Sequence, residues 1–221
     1  MVIATDAWRK DYSGSMMAVL VVENLINISF CEALEQKKQE IESELRALFQ
    51  STEAIREHFP IPIYSDYYKR YKKTYHVMKQ IESIALKAKK IPSVAATVEA
   101  MFMAEVKNGL LTAGHDYGAL SFPLILDVAK GEESYFGIGG KEHRTKPGDM
   151  MLSDQKGIIS SIIYGPDDRT RIELETNKAL FAIYAPAGIS QAVVQAHFDD
   201  IYEFLQLASP QAQIMLTEFI K

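Results

Sequence analysis

The chain has 221 residues, which is long enough for one substantial domain with its own hydrophobic core. Hydrophobic residues make up 48% of the sequence and charged residues 24%, which excludes a disordered or fibrous protein. The net charge of −5 argues against a general nucleic-acid binder, and no run of about 18 apolar residues could span a membrane. Because Cys31 is the only cysteine and no secretory signal opens the sequence, we expect a cytoplasmic protein.

The first half of the chain contains one predicted hairpin followed by helices. Val2–Trp8 and Met16–Glu23 are rich in apolar and β-branched residues and flank a turn at Asp11–Gly14, which predicts a β-hairpin. Glu32–Phe49 has leucine and isoleucine at helical spacing, which predicts an amphipathic helix. Further helices are predicted at Asp66–Lys73, Val77–Ala88 and Val94–Lys107.

The second half is dominated by short predicted strands. They lie at Pro123–Ala129, Tyr135–Ile138, Met150–Ser153, Ile158–Tyr164 and Ala179–Ala185. Ser190 and Ser209-Pro210 are typical helix starts, so two C-terminal helices are predicted, Gln191–Leu207 and Pro210–Lys221. We therefore expect a mixed α/β (α+β) fold with a central sheet, flanking helices and C-terminal helices, all in a single domain spanning residues 1–221.

A basic segment lies between Tyr64 and Lys90. It contains eight lysine or arginine residues against only two carboxylates, Asp66 and Glu82, and five tyrosines are interleaved with the cations. The cations could hold phosphates while the tyrosines stack on bases, or the segment could be a solvated helix face whose tyrosines cover the core. The candidate RNA-binding residues are Lys69, Arg70, Lys72, Lys73, Lys89 and Lys90.

Two polar segments are candidates for chemistry. His115-Asp116 is predicted to lie on a loop, where the histidine could accept a proton or orient a water, although Asp116 could instead cap a turn. Asp167–Thr170 is predicted to form an elbow between two strands. Arg169 could clamp a phosphate or carboxylate there and Thr170 could bind a hydroxyl, or the elbow could be a polar turn with an internal ion pair.

Other motifs carry no functional prediction. The glycine cluster Gly137–Gly140 does not stand between a strand and a helix, as a dinucleotide fingerprint requires. The remaining histidines lack ligand spacing and cysteine partners, so neither a metal site nor a cofactor is predicted.

The order of these elements resembles the editing module of the phenylalanyl-tRNA synthetase β subunit, formed by domains B-three and B-four. The resemblance covers residues 60–186, and residues 1–59 are similar to the opening strands and helix of free-standing relatives, while residues 187–221 form a predicted helical tail. Its motifs are Ile91-Pro92-Ser93, Val98-Glu99, Asn108-Gly109, Gly114-His115-Asp116, Leu124–Glu132, Pro147-Gly148-Asp149, Arg169-Thr170 and Glu175–Phe181.

The resemblance implies a protein that binds tRNA or aminoacyl-tRNA, with no membrane partner, as a monomer or homodimer. It also implies hydrolysis of mischarged aminoacyl-tRNA in trans, in which a held water attacks the ester. The motifs of a full synthetase are absent, so ligation of an amino acid to tRNA is not expected. The alternative is a non-catalytic module that binds RNA or an amino acid and has lost hydrolysis. A third interpretation is a structural protein that dimerises through its tail helices.

Several positions depart from the family pattern. Ala113 stands where the family has a histidine, and Phe102 replaces an asparagine. Asp168 stands near the position of the glutamate that, in the family, contacts the hydroxyl of a tyrosine wrongly attached to the tRNA. Glu99 replaces an aspartate. By the resemblance, the expected catalytic residues are His115 and Asp168, and the expected substrate-binding residues are Glu99, Asp116, Arg169 and Thr170.

Overall fold

The computed structural model describes residues 1–221 and has a mixed α/β fold. Its seven helices are α1 (Asp6–Asp11), α2 (Glu32–Leu48), α3 (Thr52–Glu57), α4 (Ile61–Lys69), α5 (His76–Ala85), α6 (Ala96–Asn108) and α7 (Gln191–Ala208). Its strands are β1 (Val2–Ala4), β2 (Met16–Glu23), β3 (Thr112–Asp116), β4 (Leu124–Val128), β5 (Ser134–Phe136), β6 (Glu142–Arg144), β7 (Met150–Asp154), β8 (Gly157–Ser161), β9 (Gly165–Pro166), β10 (Lys178–Ala185) and β11 (Gln213–Ile220).

The strands form three sheets rather than one central sheet. A five-stranded sheet has the order β1-β4-β7-β8-β9, a four-stranded sheet has the order β11-β2-β10-β3, and β5 and β6 form a separate two-stranded ribbon. The pairing is antiparallel except between β1 and β4. The mixed α/β class expected from the sequence is confirmed.

The four-stranded sheet forms the centre of the core. In β2, seven consecutive residues from Met16 to Val22 are buried, because β10 and β11 flank the strand and other elements cover its faces. This explains why β2 is continuously apolar instead of alternating. One hydrophobic cluster of 57 buried residues extends from Val2 to Ile220, which supports our proposal that the chain is one domain.

Four tyrosines anchor α4 and the start of α5 to the strands and to the end of α6. Tyr64, Tyr67, Tyr68 and Tyr75 are at most 2% exposed. The Tyr64 hydroxyl donates to the Tyr184 carbonyl at 2.7 Å, the Tyr68 hydroxyl donates to the Ile162 carbonyl at 2.7 Å, and the Tyr75 hydroxyl donates to the Gly109 carbonyl at 3.0 Å. These rings cover the core, as the second interpretation of the basic segment requires, and base stacking by them is excluded.

The predicted N-terminal hairpin is wrong. β1 pairs in parallel with β4 through Val2 and Leu124, and the chain then enters α1. The reason is a helix cap, because the Thr5 hydroxyl accepts from the Trp8 amide at 3.1 Å and Asp6 follows in the first turn. This local signal ends the strand at Ala4.

The predicted terminal helix from Pro210 is also wrong. Residues Gln213–Ile220 form β11, which pairs antiparallel with β2 and so adds a fourth strand to the central sheet. Ser209 ends α7, and its hydroxyl accepts from the Ile26 amide at 2.8 Å. Tertiary pairing with the open edge of β2 has overridden the local helix-start signal.

Candidate functional site

The two polar segments singled out in the sequence lie side by side. The Asp116 amide donates to the Thr170 carbonyl at 2.8 Å, and His115 Nδ1 lies 2.7 Å from Thr170 Oγ1. His115 is not on a loop, as the sequence predicted, but in β3, where it pairs with Leu180 of β10. His115 and Asp116 therefore contact the elbow, and they do so from a strand and not from a loop.

The contact between these segments is buried. His115 and Thr170 are fully buried. A Cβ atom on the neighbouring Gly114 would lie only 2.9 Å from Met101 Sδ and 2.9 Å from Ile172 Cδ1. None of the five main clefts of the molecule is lined by any of these residues. The junction is a packed interior in this conformation.

Hydrogen bonding and burial determine the tautomer and the charge of His115. The Thr170 hydroxyl donates its proton to Asp167 Oδ1, so His115 Nδ1 must be the donor to Thr170 Oγ1. His115 Nε2 is then a buried acceptor, and it has no hydrogen-bond partner. Burial lowers the pKa of His115 to about 3, with a further contribution from the positive charge of Arg169. The ring is neutral at physiological pH.

The charged residues of the elbow are paired within the protein. Arg169 makes a two-pronged contact with the buried Asp154, with Nη2 2.9 Å from Oδ1 and Nη1 3.1 Å from Oδ2. Asp168 is half-buried, and its carboxylate accepts from Arg171 Nη1 at 2.8 Å. The hydrogen bond from Arg171 lowers the pKa of Asp168 below its ordinary value. The internal ion pair anticipated for Arg169 is present, with Asp154 as its main partner.

Asp116 and Glu99 also have internal partners. Asp116 Oδ1 accepts from the Gly118 amide and Oδ2 accepts from the Thr176 hydroxyl, both at 2.8 Å, so the side chain stabilises a turn. Glu99 is 3% exposed and contacts Lys38 of α2, with Nζ and Oε2 2.7 Å apart. Glu99 therefore contacts α2 and not the β3–elbow junction.

The candidate RNA-binding cations, in contrast, form no ion pair within the protein. All six are exposed, and none has a carboxylate within 4 Å: Lys69, Arg70, Lys72, Lys73, Lys89 and Lys90. Arg70 lies over the Tyr67 ring with its guanidinium carbon 4.2 Å from the ring centroid.

Lys141 and Lys146 extend this group of cations from a distant part of the sequence. Both are exposed and free of carboxylate partners. Burial lowers the pKa of Lys73, and electrostatic repulsion from Lys146 and Lys141 lowers it further, although Asp149 acts in the opposite direction. Sequence reasoning missed both residues, because they flank the β5–β6 ribbon and not the basic segment. We call Lys69, Arg70, Lys72, Lys73, Lys141 and Lys146 the basic surface.

Aromatic side chains adjoin the basic surface. Lys73 Nζ lies 4.0 Å from the centroid of Tyr164, and the His143 ring stacks on Tyr164 at 4.6 Å. Phe136 and Ile138 at the end of the β5–β6 ribbon are 60% and 59% exposed. The ribbon also contacts the elbow, since the Asp168 amide donates to the Phe136 carbonyl at 2.9 Å. Cations and exposed apolar groups are thus combined on one ribbon, as in surfaces that bind unpaired nucleic acid.

Two further observations concern metal binding and membrane crossing. No group of three histidine, cysteine or carboxylate side chains is placed to hold a metal ion. Among α1–α7, none combines the length and apolar character that crossing a bilayer requires.

Comparison with known proteins supports the fold. No protein-family model matches the sequence, and no curated protein matches it. Among solved structures, the chain is similar to an N-terminal fragment of the phenylalanyl-tRNA synthetase β-subunit from Pyrococcus horikoshii, with a TM-score of 0.51 and 9% sequence identity. The match covers 100% of this chain and 54% of that fragment, so the chain spans about half of the fragment's length. At this identity the likeness shows a shared fold.

Replacing Lys38 by methionine tests the structural role of Glu99. The substitution leaves a buried carboxylate without its cation, which we expect to lower the free energy of unfolding by about 3–5 kcal/mol. Chemical denaturation measures this loss. The matched control is Lys37→Met, a partly exposed neighbour on α2 whose loss costs roughly 0–1 kcal/mol. Equal stability of the two variants would contradict the assignment.

The buried neutral state of His115 predicts a pH dependence of stability. Its folded pKa of about 3 lies below the ordinary value of 6.5, so only the unfolded chain takes up this proton as the pH falls. Stability is therefore lost from about pH 6.5 downwards, by at most about 1.4 kcal/mol per pH unit from this residue. In His115→Gln this contribution disappears, and unfolding curves at a series of pH values should show a shallower acid slope. Parallel slopes would disprove the assignment.

Proposed function

We propose that this protein binds RNA, with tRNA as its partner, through the basic surface and without catalysing a reaction. The observation that carries the proposal is that residues 69–73 and 141–146 bring cations without carboxylate partners to one side of a chain whose net charge is −5, since Arg70 and Tyr71 line one cleft together with Pro147 and Gly148. The fold likeness to a fragment of a tRNA synthetase subunit supports tRNA as the class of RNA. The single cysteine, Cys31, favours a cytoplasmic location for this function.

The electrostatics of the basic surface favour a polyanion. Burial lowers the pKa of Lys73, repulsion from Lys146 and Lys141 adds to the effect, and phosphates placed between the lysines relieve this repulsion. The carboxylate of Asp149 offsets part of this repulsion from inside the protein, where it is fully buried and accepts a hydrogen bond from the Tyr67 hydroxyl at 2.7 Å, whereas the lysine side chains of the surface are exposed. The positive charge therefore faces outward.

The state of the β3–elbow junction supports binding rather than hydrolysis. Arg169 is held by Asp154, Asp168 by Arg171, and His115 by Thr170. His115 and Thr170 are fully buried and line none of the five main clefts, so the aminoacylated end of a tRNA has no open path to them in this conformation. The simplest explanation of this arrangement is that the chain has kept the fold and has lost the ability to hydrolyse aminoacyl-tRNA.

Hydrolysis of aminoacyl-tRNA in trans is the second candidate function. One observation favours it: His115 Nε2 is an acceptor without a partner, at the junction where the resemblance predicts the reaction. If the junction opened, His115 and Asp168 could orient a water that attacks the ester carbonyl, releasing the amino acid and the ribose hydroxyl of the tRNA. Asp116, Arg169 and Thr170, with Glu99 supporting α6, would then hold the substrate.

Salt dependence tests the binding function. We expect the affinity for tRNA to fall steeply between about 50 and 200 mM salt, because cations replace counterions on phosphates. Lys73→Met and Lys146→Met should each reduce the slope of log K against log salt by about one. Lys156→Met removes an exposed lysine from the β7–β8 turn and should leave the slope unchanged. Salt-independent binding, or none at low salt, would refute the proposal.

A panel of aminoacyl-tRNAs separates the two candidate functions. If the protein only binds, no aminoacyl ester has a shorter half-life in its presence. If it hydrolyses one of them, that half-life shortens, and Arg169→Ala and His115→Gln each slow the reaction. Acid-gel analysis of the charged fraction over time gives the half-lives. Shortening that both variants abolish would replace the non-catalytic function by hydrolysis.

A further inference from the structure

A cleft of about 390 Å³ lies along the exposed face of α5. Its lining includes His76, Lys79, Gln80 and Ser83, which have the i, i+3, i+4 and i+7 spacing of one helix face. Lys89, Lys90 and Phe102 form the opposite side. The cleft is separate from the β3–elbow junction, and none of the residues expected there lines it.

The cleft is strongly cationic. Three lysines line it, and no aspartate or glutamate does. Lys79 has a partner in Glu82, which lies outside the lining, at 2.9 Å, whereas Lys89 and Lys90 have no carboxylate within 4 Å. A concave site with this lining in an acidic chain favours an anion of small size.

The two free lysines are held in place by their backbone. The Lys89 amide donates to the Ser83 carbonyl at 3.0 Å, and Arg46 Nη2 donates to the Lys89 carbonyl at 3.3 Å. The amide of Ile91, the residue after Lys90, donates to the buried Glu42 carboxylate at 2.8 Å. The segment that carries the lysines is therefore anchored to α2 and α5, and the backbone from which both side chains extend is fixed.

The rest of the lining suits a flat ring with polar edges. Phe102 is half-buried and, with Ile84 and Pro92, gives the cleft an apolar wall. The side-chain amide of Gln80 makes no hydrogen bond within the protein, and its Oε1 is buried without a partner. An aromatic base can stack on the phenyl ring, and its exocyclic N–H can satisfy the amide oxygen.

We propose that this cleft binds a phosphorylated nucleotide, with the phosphate on Lys89 and Lys90, the base against Phe102 and the base edge at Gln80. The nucleotide is either free or an unpaired unit of the RNA, and the second source rests on the proposed function. The cleft is close to the basic surface, because His76 of its lining follows Lys73 by three residues and its Nδ1 lies 3.1 Å from the hydroxyl of Tyr68, the residue before Lys69. A strand leaving the basic surface can therefore reach the cleft.

Titration calorimetry of the full chain with AMP, adenosine and inorganic phosphate tests the proposal. AMP should bind, and adenosine and phosphate should each bind at least about tenfold more weakly, since each lacks one half of the ligand. Lys89→Met and Lys90→Met should each weaken AMP binding by about five- to tenfold. Lys87→Met is the matched control, because Lys87 is exposed on the same segment and does not line the cleft, and it should change the affinity less than twofold.

A second arm uses a short single-stranded RNA. Binding of RNA that AMP displaces, with the same loss in Lys89→Met and Lys90→Met, identifies an unpaired RNA nucleotide as a ligand. AMP binding without binding of the short RNA retains the cleft as a free-nucleotide site and removes the unpaired RNA unit as its ligand, while tRNA binding decides the proposed function separately. The proposal is overturned if Lys89→Met and Lys90→Met weaken the binding of AMP, tested up to about 10 mM, and of the RNA no more than Lys87→Met does. Retention of tRNA binding in that case leaves the proposed function intact.

Discussion

The hydroxyl groups of four buried tyrosines determine how the rest of the molecule is arranged. Tyr64 and Tyr68 donate to strand-region carbonyls, Tyr67 donates to the buried Asp149, and Tyr75 donates to the last turn of α6. Each bond satisfies a polar group that would otherwise be costly to bury. Since the tyrosines of α4 point inward, the cations between and after them must point outward. The same helix thus supplies the core with rings and the surface with charge.

The two parts of the molecule that could carry function differ in one physical respect. At the β3–elbow junction every charge has a partner inside the protein, and the ring of His115 is uncharged. On the basic surface and in the α5 cleft, most of the cations have no carboxylate partner. Charges that are already compensated offer little to a ligand, whereas free charges attract one. This contrast, more than any single residue, directs the proposed function to the basic side of the protein.

Much of the fold could be predicted from the sequence because its signals are local. The periodicity of Glu32–Phe49 and the helix start at Ser190 correspond to helices in the structure. The errors at Val2–Trp8 and Pro210–Lys221 have a common cause. In both, a short strand is placed by pairing with a distant partner, β4 or β2, and neither partner can be identified from local residues. The polar link between His115 and Thr170 was foreseen only through the family resemblance, because the two residues are 55 positions apart in the chain and only the tertiary fold brings them together. Lys141 and Lys146 were missed for the same reason as the strands, because only the tertiary fold places them beside Lys73.

The tyrosine anchors have a consequence for the kinetics of association. Because α4 is fastened at several points along its length, the backbone that carries Lys69 and Arg70 is held by the core before any partner arrives. The entropy lost on binding then comes from lysine side chains and from the nucleic acid, and little of it comes from ordering the protein chain. A rigid cationic face of this kind should capture a polyanion at a rate set by diffusion and long-range attraction, with no slow rearrangement step on the protein side.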